Sequence, residues 1–425
     1  MRKLYLLIIV SMVILIMSVS VFSQTITLQV WDVFDPVTSP DARAREELFK
    51  QYEEENPGIK IEHNVIVYAD LHDKAVVSGA AGSGPDILHM LGEWIPEFSM
   101  MGIIEDVTDK VNSWEDKQYF PDSTWDVAFY NGHCYGIPSI ASPRVLLYRK
   151  DYFDSVGITN APTTWDEMKE DAKKLTRDTT GDGKTDVYGF AFCSSSDAIR
   201  GPQEFLPFLW QTGAEWVIKE NEIWKPGFTI DQAQEVFQLY YDLVHTLNVC
   251  PPGSIGWGYL EMDNAFVVGQ TAMCHNGSWM QHYEENAGEI FKNWGGAKMP
   301  ANENSATYFE VKVEGIGKFS KNKEEAWKLL TWLLAKDQMA KHTAGDNLPS
   351  RTDVISLPQF QEDTFKTPFL EAISDGKPYP KLPMAESNKL MMNELQNVLY
   401  QKKTPEQAAQ DLLKGLEDIL ISINE

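Results

Sequence analysis

Apolar and polar positions alternate with period two in "TITLQVW", which places Ile26, Leu28 and Val30 on one face of a strand. "AREELFKQYEEENPG" switches to helical spacing through Ala44, Leu48 and Tyr52, and Asn56-Pro57-Gly58 stops it. Alternation returns in "IKIEHNVIV" at Ile59, Ile61, Val65 and Val67. Thr164 and Glu167 form a capping box ahead of Trp165, Met168, Ala172 and Leu175 at helical spacing. The same period predicts helices over 236–247, 326–334 and, after Thr404-Pro405, 408–420. Strand, helix and strand in turn predict an α/β fold of open sheets flanked by helices, whose ligands settle beyond the carboxyl ends of strands. No internal repeat or low-complexity linker divides the chain.

The first segment breaks this rhythm. Arg2 and Lys3 precede a nearly unbroken apolar run from Leu4 to Met17, and small residues follow, including Ser20 and Ser23. That order predicts an export signal over residues 1–23 and a mature chain beginning near Gln24. The run falls short of the ~20 residues that a membrane span needs. The first cysteine is Cys134, so no lipid attachment is expected at the processing point, and the exported protein should be soluble. Cys134, Cys193, Cys250 and Cys274 lack any C-x-x-C spacing, which argues against zinc. One or two disulfides and buried free thiols both fit that spacing.

Composition adds bounds. A chain of 425 residues, 43% hydrophobic and 23% charged, can build two or three domains with substantial cores. Its net charge of -25 sets it against nucleic acid and anionic membranes, which would repel it. Thirteen tryptophans and sixteen tyrosines are a richer aromatic supply than cores usually need.

Catalytic signatures are missing. "GDGKT" contains a GKT, but Asp178 stands where a phosphate-binding loop needs its first glycine. There is no G-x-S-x-G elbow, no H-E-x-x-H, and no histidine spacing suited to a metal. One metal pattern does emerge in "DTTGDGKTDVYG". Asp178, Thr180, Asp182 and Asp186 occupy oxygen-ligand positions of a calcium loop, Gly183 makes its turn, and Lys184 offers a backbone carbonyl. Gly189 stands where the bidentate glutamate belongs. A strand-like "VYGFAF" follows instead of a second helix, so the expectation is a structural calcium site, not a sensor.

Six stretches in fixed order carry a resemblance. They are "ENPGIKIE" (55–62), "GSGPDILHMLGEWIPEFSMMGIIEDVT" (82–108), "YGIPSIASPRVLLYRKDYFDSVG" (135–157) continuing into "APTTWDEMKEDAKKLT", "VVGQTAMCHNGSWM" (267–280), "EGIGKFSKNKEEAWKLLTWLL" (314–334) and "TPEQAAQDLLKGL" (404–416). Together they resemble the family 1 bacterial extracellular solute-binding proteins, which include the maltose-binding components of ABC importers. The resemblance implies a two-lobed periplasmic binding protein fold of type II with the ligand between the lobes. Lobe one is expected over 24–140 plus 312–355, and lobe two over 141–311 plus 356–425. It also implies a monomeric, non-enzymatic carrier of a carbohydrate, exported to the periplasm or beyond, that hands its ligand to membrane permease subunits.

By position in the family pattern, cleft residues are expected after the first strand (Trp31, Asp32, Asp35) and after "PDI" (Met90, Glu93, Trp94). Others are expected around the 135–157 segment (Ser142, Arg144) and in "NGSW" (Asn276, Ser278, Trp279), with Gln203, Glu204 and Trp257 added where the match is looser. A flat indole suits the C–H face of a pyranose, and carboxylates and amides suit its hydroxyls. Trp165, Trp327 and Trp332 sit at helical core spacing and are expected to pack. Met90 replaces the aromatic residue often found at its place in the family. Two other readings remain open: a secreted carbohydrate-active enzyme, or a carrier of a non-sugar such as a glycerophosphodiester, polyamine or iron. Arg144 in the cleft would favour an acidic sugar or phosphate.

Overall fold

The computed structural model describes residues 25–195 and 199–424, so the export signal expected over 1–23 lies outside the described residues. The strands that organise it are β1 (Ile26–Asp32), β2 (Ile59–Val65), β3 (Ile87–Leu91), β4 (Ile137–Pro143), β5 (Val145–Arg149), β6 (Met273–Asn276), β7 (Trp294–Ala297), β8 (Thr307–Ile316) and β9 (Gly376–Lys377). Among the described residues, six of them form one sheet in the order β9-β8-β3-β1-β2, with β4 also on β8. β1 pairs in parallel with β2 and β3, and β8 runs antiparallel to β3 and β4. A second, antiparallel sheet places β5 between β6 and β7. The chain passes from one sheet to the other at Arg144, between β4 and β5, and β8 returns beside it. The Arg144 N–H donates to the Tyr308 carbonyl (3.0 Å) and Thr307 Oγ1 donates to the Arg144 carbonyl (2.9 Å). Two crossing strands joined in this way make a hinge between two lobes.

The periodicity holds well where burial is one-sided. In β1, Leu28, Val30 and Asp32 face inward. Helix Pro40–Glu55 begins four residues before the apolar spacing suggested, because Ser39 accepts from the Ala42 N–H (3.1 Å) and Pro40 stands at the first helical position. Its buried face is therefore Ala42, Arg45, Leu48, Phe49 and Tyr52, and Ala44 is only partly covered. Thr164 caps helix Trp165–Leu175 as its sequence implies, accepting from the Glu167 N–H, while the Glu167 carboxylate reaches back to Thr163. "VYGFAF" joins the second sheet as isolated bridges, Tyr188 to Thr271 and Ala191 to Cys274.

Two large apolar clusters fill the lobes, one around β1, β3 and β8, the other around helices Arg200–Gln211, Ile230–Tyr241, Ala385–Leu399 and Pro405–Asn424. Trp165 is buried in the second, and Trp327 and Trp332 pack edge-on against Trp114 and Tyr52. The four cysteines are buried and unpaired. Among the described residues no helix is long and apolar enough to cross a membrane.

Candidate functional site

Between the sheets lies a cavity of about 440 Å³. Lobe one supplies the ends of β1 and β2 with the chain beyond them (Val33 to Asp35 and Val65 to Tyr68), Lys312 of β8, Asp346 and Asn347, and Glu310, which lies on the same strand two residues before the expected lobe boundary at 312. Across it stand Arg200, Tyr259, Leu260, Asp263, Trp279, His282 and Tyr283, with Arg144 at the crossing point. A larger hollow of about 810 Å³, between Trp224 and the C-terminal helix, is lined by lobe two alone, so hinge motion does not reshape it. The interlobe cavity also obeys the strand-end rule, since its lobe-one wall follows the carboxyl ends of parallel β1 and β2.

The floor is an ionic lattice. Arg144 donates through Nη1 to the Ser142 carbonyl (3.0 Å) and Oγ (2.9 Å), and through Nη2 to Gln203 Oε1 (3.0 Å) and Glu310 Oε2 (2.8 Å). Arg200 donates to Glu204 (3.0 Å), the His275 carbonyl (2.9 Å) and Asn276 Oδ1 (3.2 Å). Both guanidiniums lie over the Trp279 indole, at 4.2 and 4.7 Å from its centroid. The indole N–H donates to Asp263 (3.3 Å), which also accepts from Asn276 (2.7 Å). The ring rests on Gly277, where any Cβ would come within 1.7 Å of it. Trp279 is thus held rigidly and only partly exposed.

Charges here are largely spent. Burial opposes ionisation of Glu310, but Arg144 and Lys312 beside it hold its carboxyl below the usual range. Burial raises Asp263 against the pull of Arg200, and burial with Asp41 nearby drives Asp346 well up. Burial lowers His282 to about 4, so it is neutral near pH 7. Glu93 accepts from Tyr308 Oη (2.6 Å) and Gln203 Nε2 (3.1 Å), linking the lobes. Burial first, then repulsion from Glu310, raise its carboxyl to about 7.

Of the residues expected from the sequence, Asp35, Arg144 and Trp279 line the cavity. Ser142, Gln203, Glu204 and Asn276 stand one layer behind and orient the arginines or Asp263, and Glu93 holds Gln203 in turn. The remaining six lie elsewhere. Trp31 is half-buried against the lobe-one core with Lys74 4.2 Å from its ring, on the face of β1 opposite Val30 and Asp32 because side chains alternate along the strand. Asp32 is fully buried between Arg45 (3.0 Å) and His63 (2.6 Å). Met90 belongs to the lobe-one core, and Trp94 packs against His72 and Phe98. Trp257 packs against the core while its carbonyl accepts from Ser194 and Ser195, and Ser278 is buried.

In the 178–189 loop Gly183 takes φ +86°, a turn that glycine makes without strain. Asp178 accepts from the amides of Thr180 (3.0 Å), Gly181 (2.6 Å) and Gly183 (2.7 Å), and Asp186 from those of Thr179 (2.8 Å) and Thr180 (3.0 Å). Amide bonds, from Gly183 first for Asp178 and from Thr179 first for Asp186, lower both carboxyls. Asp182 accepts from Lys184 N–H (2.9 Å). Among the described residues no group of three or more histidine, cysteine or carboxylate side chains converges as metal ligands. The three carboxylates accept from amides of their own turn, and Thr180 and Lys184 lie in that turn.

Comparison with known proteins agrees with this architecture. Residues 36–340 match the bacterial extracellular solute-binding protein family. The chain belongs to that family. A Brucella abortus relative named only as a binding protein is 27% identical over 379 residues, 88% of this chain and 89% of its own. A solute-binding protein of Thermotoga lettingae bound with α-D-tagatose superposes with TM-score 0.83 at 25% identity, covering 93% of this chain and 99% of that one. A maltose-bound protein of T. maritima gives TM-score 0.82 at 24% identity, covering 92% and 99%. The two-lobed fold and the solute-binding class follow from these matches.

Proposed function

We propose that this protein is the exported capture subunit of an ABC importer and carries a neutral sugar of one or two rings, without chemical turnover. The observation behind the neutral ligand is the pairing of the cavity's cations. Arg144 is matched by Glu310, Arg200 by Glu204, and Lys312 lies 3.7 Å from Glu310. A phosphate or uronate would meet Asp35 and Asp263, while Arg144 and Lys312 share Glu310 and Arg200 is held by Glu204. Bound arginines and carboxylates instead offer fixed donors and acceptors, which suit hydroxyls. The tagatose and maltose carried by two structural relatives support the same class.

Closure follows from the arrangement. A ligand in the cavity touches both lobes only when they approach, so its binding favours the closed form. Tyr68 and Tyr259, from opposite lobes, both line the cavity and meet edge to face at 5.7 Å. Arg43 and Glu285 pair across the surface at 3.3 Å, a solvated contact of little energy. Calcium is proposed as a structural ligand of the 178–186 loop, remote from capture.

A thermal-shift screen tests the function, because a ligand bound to the native state raises its melting temperature. Neutral sugars should shift it. A response confined to sugar phosphates, uronates or polyamines would replace the reading, and released products would make the protein an enzyme.

A further inference from the structure

The cavity is uneven in polarity. Its buried ionic groups are Arg144, Arg200, Asp263, Glu310, Lys312 and Asp346, whereas the wall beyond edge strand β2 and its neighbour β1 carries the aliphatic Val33, Val65 and Val67 beside Phe34 and Tyr68. Lobe two adds Leu260 opposite. Val65, Val67 and Leu260 are 43%, 62% and 49% exposed. Asp35, the acid on this wall, commits Oδ1 to the Val37 N–H (2.9 Å).

Branched aliphatic side chains have no flat face for a pyranose and no hydrogen bonds for its hydroxyls. They gain only by burying apolar surface. Exposed apolar surface continuous with a ligand cavity marks an apolar ligand part. Space permits one. At ~30 Å³ for each water-sized group, 440 Å³ takes about fifteen. A hexose has about twelve non-hydrogen atoms, bonded more closely than separate waters, so one ring leaves part of the cavity free.

We propose that the ligand is amphipathic: a glycoside whose sugar occupies the ionic end and whose aryl or alkyl aglycone covers the Val33–Val65–Val67–Leu260 wall. This rests on the carbohydrate reading and adds the nature of its second half. The aglycone, not a further sugar, supplies the apolar area that both lobes enclose on closing.

Calorimetry tests it with D-glucose, D-galactose and D-mannose, their methyl, p-nitrophenyl and octyl glycosides (the last below its micellar concentration), and glucose- and galactose-containing disaccharides. For at least one sugar, the aryl or alkyl glycoside should bind tenfold or more tightly than the methyl glycoside and than any disaccharide. Val67→Asp and Leu260→Asp, at exposed positions on opposite lobes, should each bring that ratio towards one. Methyl glycosides or disaccharides binding as tightly as the aryl and alkyl forms would overturn this inference and leave sugar capture standing. A ratio that survives both substitutions would also overturn it. No binding anywhere in the panel would overturn both readings.

Discussion

Replacing Glu93 with glutamine should change how stability responds to pH. Burial, and then the Glu310 charge, move this carboxyl from 4.5 to about 7. Between those values the folded protein keeps a proton that the unfolded chain has released. The stability linked to Glu93 is therefore complete below pH 4.5 and is lost as pH rises to about 7. At about 1.4 kcal/mol per unit, the displacement amounts to about 3 kcal/mol. The wild-type curve alone hides this. His282 and His342 are lowered by burial from 6.5 to about 4, so their contributions are lost as pH falls through that window, the opposite direction. The difference between variants isolates Glu93. Urea unfolding of wild type and Glu93→Gln at pH 4.5 and pH 8 should show the variant gaining about 3 kcal/mol on wild type between the two. At pH 4.5 the protonated carboxyl and the glutamine amide each offer one carbonyl acceptor, and the second acceptor of the carboxylate at pH 8 is already contained in the value of about 7. Parallel stabilities at the two pH values would refute the reasoning, because Glu93 would then titrate alike in folded and unfolded chains.

Three further outcomes are expected. Trp279→Ala should weaken ligand binding about tenfold to a hundredfold by removing roughly 1.5–3 kcal/mol of apolar burial, with Trp279→Phe milder; unchanged affinity by calorimetry in the folded alanine variant contradicts its role. Arg45→Met leaves Asp32 and Glu314 buried without their guanidinium partner, at 3.0 and 3.3 Å, and should cost about 3–5 kcal/mol in urea unfolding; a loss below about 1 kcal/mol would mean the site is wet. Calcium should raise the melting temperature and Asp182→Ala should abolish that rise; identical melting in calcium and chelator removes calcium from the account.

The sequence made elements with one buried face legible, and the site only in part. β1, the Thr164-capped helix and the C-terminal helix follow their periods because burial and capping act locally. β8 did not disclose its role. "FEVKVE" alternates charge like a solvated face, yet Glu310 and Glu314 are buried against arginines distant in sequence, Arg144 and Arg45, and Lys312 is buried beside Glu310. Only the fold brings those counter-ions together. Tyr68 and the valines before it were within reach, since the strand-end argument applied to β1 applies equally to "IKIEHNVIV". Tyr283 and His282, one turn beyond Trp279, were recoverable in the same way. Arg200, Asp263 and Asp346 carry no local signal, and helix or turn geometry alone aims them inward. Trp31 and Met90 lie away from the cavity lining because strand alternation sets Trp31 against Lys74 and the core edge and buries Met90.

Small-angle scattering tests closure around a solute most directly. The sugar with the largest thermal shift should reduce the radius of gyration at saturation, with the midpoint at its calorimetric Kd. Trp279→Ala should move that midpoint to higher concentration by the same factor as the affinity. An unchanged radius of gyration across a titration that saturates binding by calorimetry would contradict capture by lobe closure.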